Sequence, residues 1–171
     1  MSYYKSNVWF AARVRRNQER TVKEKLEHLG IENYVPFQKE IRIRKDRKAE
    51  VWTPVIPNIV FIHTDFNTGM SIANEYGIKI SFIKAIDGKG LLIVPQKQID
   101  DFKLICESGV KYTLVETFEK GDHVLINNGC LKGLSGELLS MNENNSKMLV
   151  RIDGIATFKL IIPAKMLNRL N

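Results

Sequence analysis

Apolar and polar positions alternate through the segment "NVWFAARVRR" (7–16), which predicts a strand with Val8, Phe10, Ala12 and Val14 on one face and Trp9, Ala11, Arg13 and Arg15 on the other. The first set reads as core. The second sets a tryptophan beside two arginines, an unusual place for a side chain that only fills space. "NQERTVKEKLEHLG" (17–30) then shifts to helical spacing, with Val22, Leu26 and Leu29 on one side. Asn17 is the expected cap, and Gly30 suits the residue that follows the last turn. "IENYVPF" (31–37) returns to extended chain, and "KEIRIRKDRKAEVWT" (39–53) predicts a hairpin turning near Lys45–Lys48. "VIPNIVFIHT" (55–64) is a nearly continuous apolar run, as in a central strand, but Pro57 removes a ladder donor. Its first part is therefore an edge, a bulge or a strand entry.

Further on, "NTGMSIANEYG" (67–77) predicts a weaker helix, "IKISFIKAI" (78–86) and "LLIV" (91–94) predict strands around a "DGKG" turn, and "PQKQIDDFKLICESG" (95–109) predicts a helix opened by proline. The order strand, helix, strand, strand, helix, strand describes a split βαβ sandwich of about 100 residues. From Phe118 the pattern changes to short strands punctuated by glycine and asparagine, which predicts a small, strongly curved barrel. The expected organisation is thus α+β: a split βαβ sandwich over 1–108, a linker over 109–117 and an SH3-like β-barrel over 118–171. Gly129, Gly133 and Gly136 are the residues expected to shape the barrel.

Composition changes this picture little, and charge changes it more. The 171 residues are 44% hydrophobic and 26% charged, ordinary for a globular chain. No run approaches a membrane helix and "MSYYKSNVWF" lacks a leader's apolar core, so a cytoplasmic chain is expected. Lys and Arg total 26 against 19 acids, a net of +7. The excess is local: "KEIRIRKDRK" (39–48) holds six basic residues and two acids, and "RVRR" (13–16) adds three arginines. Clustered basicity of this kind fits nucleic-acid contact. Cys106 and Cys130 form no CxxC pair and read as small hydrophobes, so neither a disulfide nor a metal site is expected.

Catalysis is not expected. His28 lies on a charged helix face, and His63 and His123 have no cysteine or carboxylate at metal or triad spacing. Asp100 and Asp101 are consecutive on a helix and point apart. The glycines near 129–136 lack the GK[ST] ending of a phosphate loop, and no cofactor is implied.

Three stretches, in order, carry a family resemblance. "GDHVLINNGCLKGLSGEL" resembles a KOW motif, and "VRIDGIATFKLIIP" its closing strands. "VWFAARVRRNQERTVKEKL" resembles the opening of a NusG N-terminal (NGN) domain, and "EVWTPVIPNIVFIHTD" its Pro-x-x-Pro-Gly/Asn signature strand. Pro-Asn in place of Pro-Gly, with the basic "RVRRNQ" turn, makes the chain most similar to the specialised NusG paralogues of the RfaH and UpxY type. UpxY-type proteins are operon-specific antiterminators of capsular polysaccharide synthesis.

The resemblance implies a monomeric transcription elongation or antitermination factor that binds the clamp helices of RNA polymerase through an apolar depression. The matching positions are Trp9, Phe10, Pro54, Ile56, Pro57 and Ile59, with Tyr34 and Trp52 as neighbours. For Phe10 a core role is the preferred reading; for Trp9 and Ile56 it is the interface. Contact with non-template DNA or nascent RNA falls to Arg13, Arg15, Arg16, Gln18 and Arg20, and on the hairpin to Arg42, Arg44, Lys45 and Arg47. No His-Thr-Thr triplet stands where RfaH-like proteins touch the polymerase gate loop; Thr68 and Ser71 are the candidates there. In the KOW turn, Gly129, Leu131, Lys132, Gly133 and Gly136 match, with Leu131 the expected exposed contact for a small-subunit ribosomal protein or Rho. Stable β-formers in "MLVRI" and "ATFKLIIP" favour a permanent barrel. The rival reading is a KOW-containing RNA- or DNA-binding protein, ribosomal or repressor-like, that acts without polymerase.

Overall fold

The computed structural model describes residues 6–115 and 121–170, and the chain divides into two compact units, Met1–Val94 and Pro95–Asn171. In the first unit, β1 (Val8–Val14), β2 (Glu32–Tyr34), β5 (Ile59–Thr64), β6 (Ile80–Phe82) and β7 (Ile93–Val94) form one antiparallel sheet of order β2-β5-β1-β6, with β7 also paired to β1. A separate two-stranded ribbon consists of β3 (Phe37–Arg44) and β4 (Arg47–Pro54). Helices α1 (Glu19–His28) and α2 (Phe66–Asn74) complete the unit. One core cluster unites α1 with the sheet: Val22 and Leu26 pack with Ala12, Val14, Val60, Ile62, Ile72 and Ile78. Burial of such aliphatic side chains contributes about 1.5–3 kcal/mol each before entropy is counted.

The helix starts differ from expectation in an instructive way. Asn17 does not cap α1; it takes a left-handed conformation (φ 64°) just before the cap residue Gln18, whose side chain makes no capping bond. Asp65 caps α2 as a carboxylate should, accepting from the backbone N–H groups of Asn67 (2.9 Å) and Thr68 (3.1 Å). Gly30 follows α1 with φ 68°, the left-handed residue that the helix end requires.

In the second unit, β8 (Tyr112–Val115), β9 (Asp122–Ile126), β10 (Ser135–Met141), β11 (Asn145–Ile152), β12 (Ala156–Pro163) and β13 (Leu167–Arg169) form a six-stranded antiparallel sheet of order β13-β9-β10-β11-β12-β8. The sheet curves around Val124, Ile126, Leu134, Met148, Val150, Phe158 and Leu160, all buried. Helix α3 (Gln96–Glu107) belongs to this unit. Its Phe102 ring lies 5.0 Å from that of Phe158. At its start, the Gln98 side chain donates to the Asp153 carboxylate (2.7 Å) and accepts from the Asp153 N–H (2.9 Å).

This arrangement redraws the expected boundaries. The helix assigned from the element order to a domain ending at 108 falls in the compact unit of the strands that follow it, where Phe102 meets Phe158; Ile99 and Ile105 are buried as well. The expected linker 109–117 also supplies structure: β8 pairs with β12, from Tyr112↔Leu160 to Val115↔Thr157. Its last residues, 116 and 117, and the expected barrel start at 118 lie outside the described residues.

Gly136 shows why this sheet needs glycine. A Cβ there would stand 2.2 Å from the Leu149 carbonyl oxygen, closer than any side chain allows, so β10 and β11 approach only because the atom is missing. Gly133 (φ 91°) and Gly129 (φ 80°) flank the turn before β10 in backbone that L side chains avoid.

Candidate functional site

Three surfaces carry the residues singled out above. The apolar one lies around the turn of residues 55–58, where the chain passes from β4 into β5. Pro57 is exposed and Asn58 has φ 63°, the proline–left-handed pairing of a type II turn. Asn58 here does the conformational work that glycine usually does. The turn is pinned from two sides: its Asn58 N–H donates to the Glu19 carboxylate (2.8 Å), and its carbonyl accepts from Val14 N–H (2.9 Å). Glu19, in the first turn of α1, is buried, so this acid is a structural bracket for the loop.

The structure does not expose every residue assigned to that surface. Trp9 is 2% exposed, Ile56 8%, and Phe10 is buried as well. Trp9 keeps to the face of β1 opposite Phe10, where its cross-strand neighbours are His63 of β5 and Val94 of β7. Its ring stacks on the imidazole of His63, its partner across the strands (4.9 Å, 19°), and His63 in turn contacts the Glu32 carboxylate (2.6 Å). Trp9 and Ile56, expected at the interface, are thus buried in this structure. Pro57 is exposed, and Tyr34, Pro54 and Ile59 are half-buried.

The second surface is a cavity of about 430 Å³ lined by Arg15, Arg16, Gln18, Thr21, Val22, Lys25, Gly77, Ile78 and Lys79. Four cations line it and no acid does. None of the four makes an ion pair among the described residues. They come from three segments: the β1–α1 turn, the outer face of α1, and the chain leaving α2. Gathering unpaired like charges around one concavity favours an anionic occupant. Arg15, Arg16 and Gln18 were legible from the basic turn. Lys25 stands one helical turn from Thr21 and two from Gln18, a spacing that marks one helix face, and Lys79 is brought in only by the fold. Arg13 is exposed near the end of β1, and Arg20 lies over the Phe37 ring (5.0 Å), which gives it a packing partner on β3.

The third surface is the β3–β4 ribbon. Its two-residue turn, Lys45–Asp46, has positive φ at both positions (36° and 63°), the mark of a type I′ hairpin. The register sets Arg44 opposite Arg47 and Arg42 opposite Ala49 on one face. The other face carries Ile43 opposite Lys48, Ile41 opposite Glu50 and Lys39 opposite Trp52. Acids neutralise the base of the ribbon, through Lys39–Glu50 (3.4 Å) and Arg42–Glu40 (3.2 Å), but Arg44, Lys45 and Arg47 near the tip have no ion-pair partner among the described residues. Trp52 lies on this ribbon and is 56% exposed.

Two other expectations change. Thr68 donates its hydroxyl to the Asp65 carboxylate (2.6 Å), a bond that, more than any other, holds the Asp65 carboxyl below its ordinary pKa. Thr68 is thus part of the helix cap, and Ser71 is half-buried. In the second unit Leu131 is 4% exposed, so the apolar side chain expected to project from that turn is turned inward; Cys130 and Lys132 are its exposed residues. Asp100 and Asp101 do point apart. Asp100 accepts from Gln96 (2.8 Å), whereas Asp101 is buried beside Lys97, and burial pushes its pKa up.

A protein-family model described as "Transcription termination factor nusG" matches residues 7–103. The chain belongs to the NusG family. Its members are non-enzymatic transcription factors, and proteins of the NusG/Spt5 type typically bind RNA polymerase. The match runs into α3, even though that helix packs with the second unit. Among solved structures, NusG of Thermotoga maritima, described under "Domain interaction in Thermotoga maritima NusG", is 20% identical with a TM-score of 0.50, covering 97% of this chain and 98% of that one. The MjSpt4:Spt5 complex is also similar, at 14% identity and a TM-score of 0.30, covering 95% of this chain and 97% of that one. The first likeness supports the mixed α+β fold. A search of curated proteins finds no match. No helix among the described residues is long and apolar enough to cross a membrane, and no cluster of His, Cys, Asp or Glu among them could hold a metal.

Proposed function

We propose that this NusG-family chain is an elongation and antitermination factor of the RfaH/UpxY type, which binds the clamp helices of RNA polymerase and suppresses pausing or termination on specific operons such as those for capsular polysaccharide. The observation that carries the reading is the pinned turn at 55–58, in the same unit as two clusters of unpaired cations. Pro57, Ile59, Pro54 and Tyr34 form the polymerase contact, while Trp9, Phe10 and Ile56 serve it as buried supports of the same unit. The cation-lined cavity and the ribbon tip hold the phosphates of the non-template strand. The second unit is a KOW domain, whose turn around Cys130 and Lys132 recruits a ribosomal protein or Rho.

A pull-down with core RNA polymerase tests this. Wild type should be retained, and a Pro57→Asp, Ile59→Lys double variant that melts like wild type should be lost. Failure of wild type to bind polymerase, together with tight binding of RNA or duplex DNA, would establish the rival reading of a KOW-containing binder that acts without polymerase.

A further inference from the structure

The ribbon carries apolar side chains that no core claims. Ile41 is 66% exposed and Ile43 71%, and with Trp52 they occupy a single face of β3–β4. A two-stranded ribbon has no second layer to cover such a face, and isolated exposed strands invite unwanted pairing. Lys39 holds its ammonium 5.6 Å from the Trp52 ring centre, and Lys48 stands beside Ile43. The opposite face bears Arg42, Arg44 and Arg47. Charge therefore runs along both faces toward the tip, while flat and aliphatic surface is confined to one.

We propose that the Ile41–Ile43–Trp52 face is a docking surface for the unpaired bases of single-stranded DNA, with thymines preferred. The commitment to nucleic acid follows from charge complementarity: residues 37–54 hold six cations against three acids, and two of those acids are already paired. An aromatic ring with a lysine ammonium beside it, and further cations toward the tip and on the opposite face, is an arrangement on which bases stack while phosphates meet cations. The two isoleucines offer apolar contact to the thymine methyl group, which uracil lacks. The inference rests on the nucleic-acid part of the function proposed above and is independent of its polymerase part.

Titration of the full-length protein with a dT20 oligonucleotide tests it. Tryptophan emission should be quenched, because Trp52 is accessible and Trp9, the chain's other tryptophan, is buried. Trp52→Ala should weaken dT20 binding by roughly 5- to 150-fold without changing the salt dependence, and Trp52→Phe should restore most of the loss. Arg44→Ala with Arg47→Ala should instead make the log–log salt slope shallower by about 1.4, at roughly 0.7 for each lost phosphate contact. An rU20 strand should bind more weakly than dT20; equal or tighter binding would overturn the DNA assignment. Undiminished dT20 binding by Trp52→Ala would overturn the surface while leaving the cation-lined cavity as the DNA site. Quenching by core polymerase alone, with none by dT20, would overturn it in favour of a protein contact.

Discussion

Arg15, Arg16, Lys25 and Lys79 come from three segments and converge on one cavity, whereas Arg42, Arg44, Lys45 and Arg47 follow one another through a single hairpin and are fanned outward by it. The cavity lies over a built core: Val22 is among its lining residues and packs with Leu26, Val60 and Ile72 beneath. The ribbon is tied to that core at Phe37, and beyond it has its own strand pairing. Similar residue types thus give a concave site whose geometry depends on the whole unit and a projecting one that depends on eighteen consecutive residues. The difference teaches that basic charge in the sequence marks affinity, while the backbone beneath it decides whether that affinity is shaped.

If the contrast is right, substitutions beneath the cavity should cost the most. Leu26→Ala should lower unfolding free energy by about 2–5 kcal/mol in urea denaturation and take the cavity's DNA affinity with it. A smaller loss would mean that α1 is not the floor of the site. Glu19→Ala should cost about 1–3 kcal/mol, because the Asn58 N–H loses its buried acceptor; Glu19→Gln, which keeps an acceptor oxygen, should recover most of it. Removing charge from the cavity should do the reverse of removing its floor. Arg15→Ala with Lys25→Ala should leave stability within about 0.5 kcal/mol, yet flatten the single-strand salt slope by about 1.4. On the ribbon, Ile43→Thr should shift stability by no more than about 0.5 kcal/mol, since it removes an exposed side chain.

The smallest expected effect concerns Asp65, which starts the helix that leads to Lys79. Its folded pKa lies below 3.8, so folding favours the carboxylate. The contribution is complete above that value and drains away as pH falls through the lowered one. The melting-temperature gap between wild type and Asp65→Ala should accordingly narrow in strong acid. A gap that widens there would mean that the cap is not the source.

Most elements could be read from spacing because their apolar residues have one face to bury. Val22 and Leu26 announced α1, Pro57 announced the break before β5, and the alternation of Ile41 and Ile43 with arginine announced the ribbon. Local pattern failed where burial is decided by distant chain. Trp9 reads as surface until His63 of β5 stacks on its ring and Val94 of β7 stands across from it. Leu131 reads as a turn residue but is folded inward. Helix α3 carries an apolar stripe that specifies that it must pack and is silent on what it packs against. The candidate site follows the same rule: the arginines of its turn are visible in sequence, but Lys79 joins them only once α2 and the chain after it are in place.

The strand order of the second unit has a consequence for how the chain is made. Its first strand, β8, pairs with β12, and β9 with β13, so the two pairings that complete the sheet draw on its latest residues. Translation delivers β8 some forty residues before its partner, at a pace of about 5–20 residues per second. The first unit, by contrast, has every strand of its sheet by Val94. A ribosome would thus release a finished first unit while the second still waited for its closing strands.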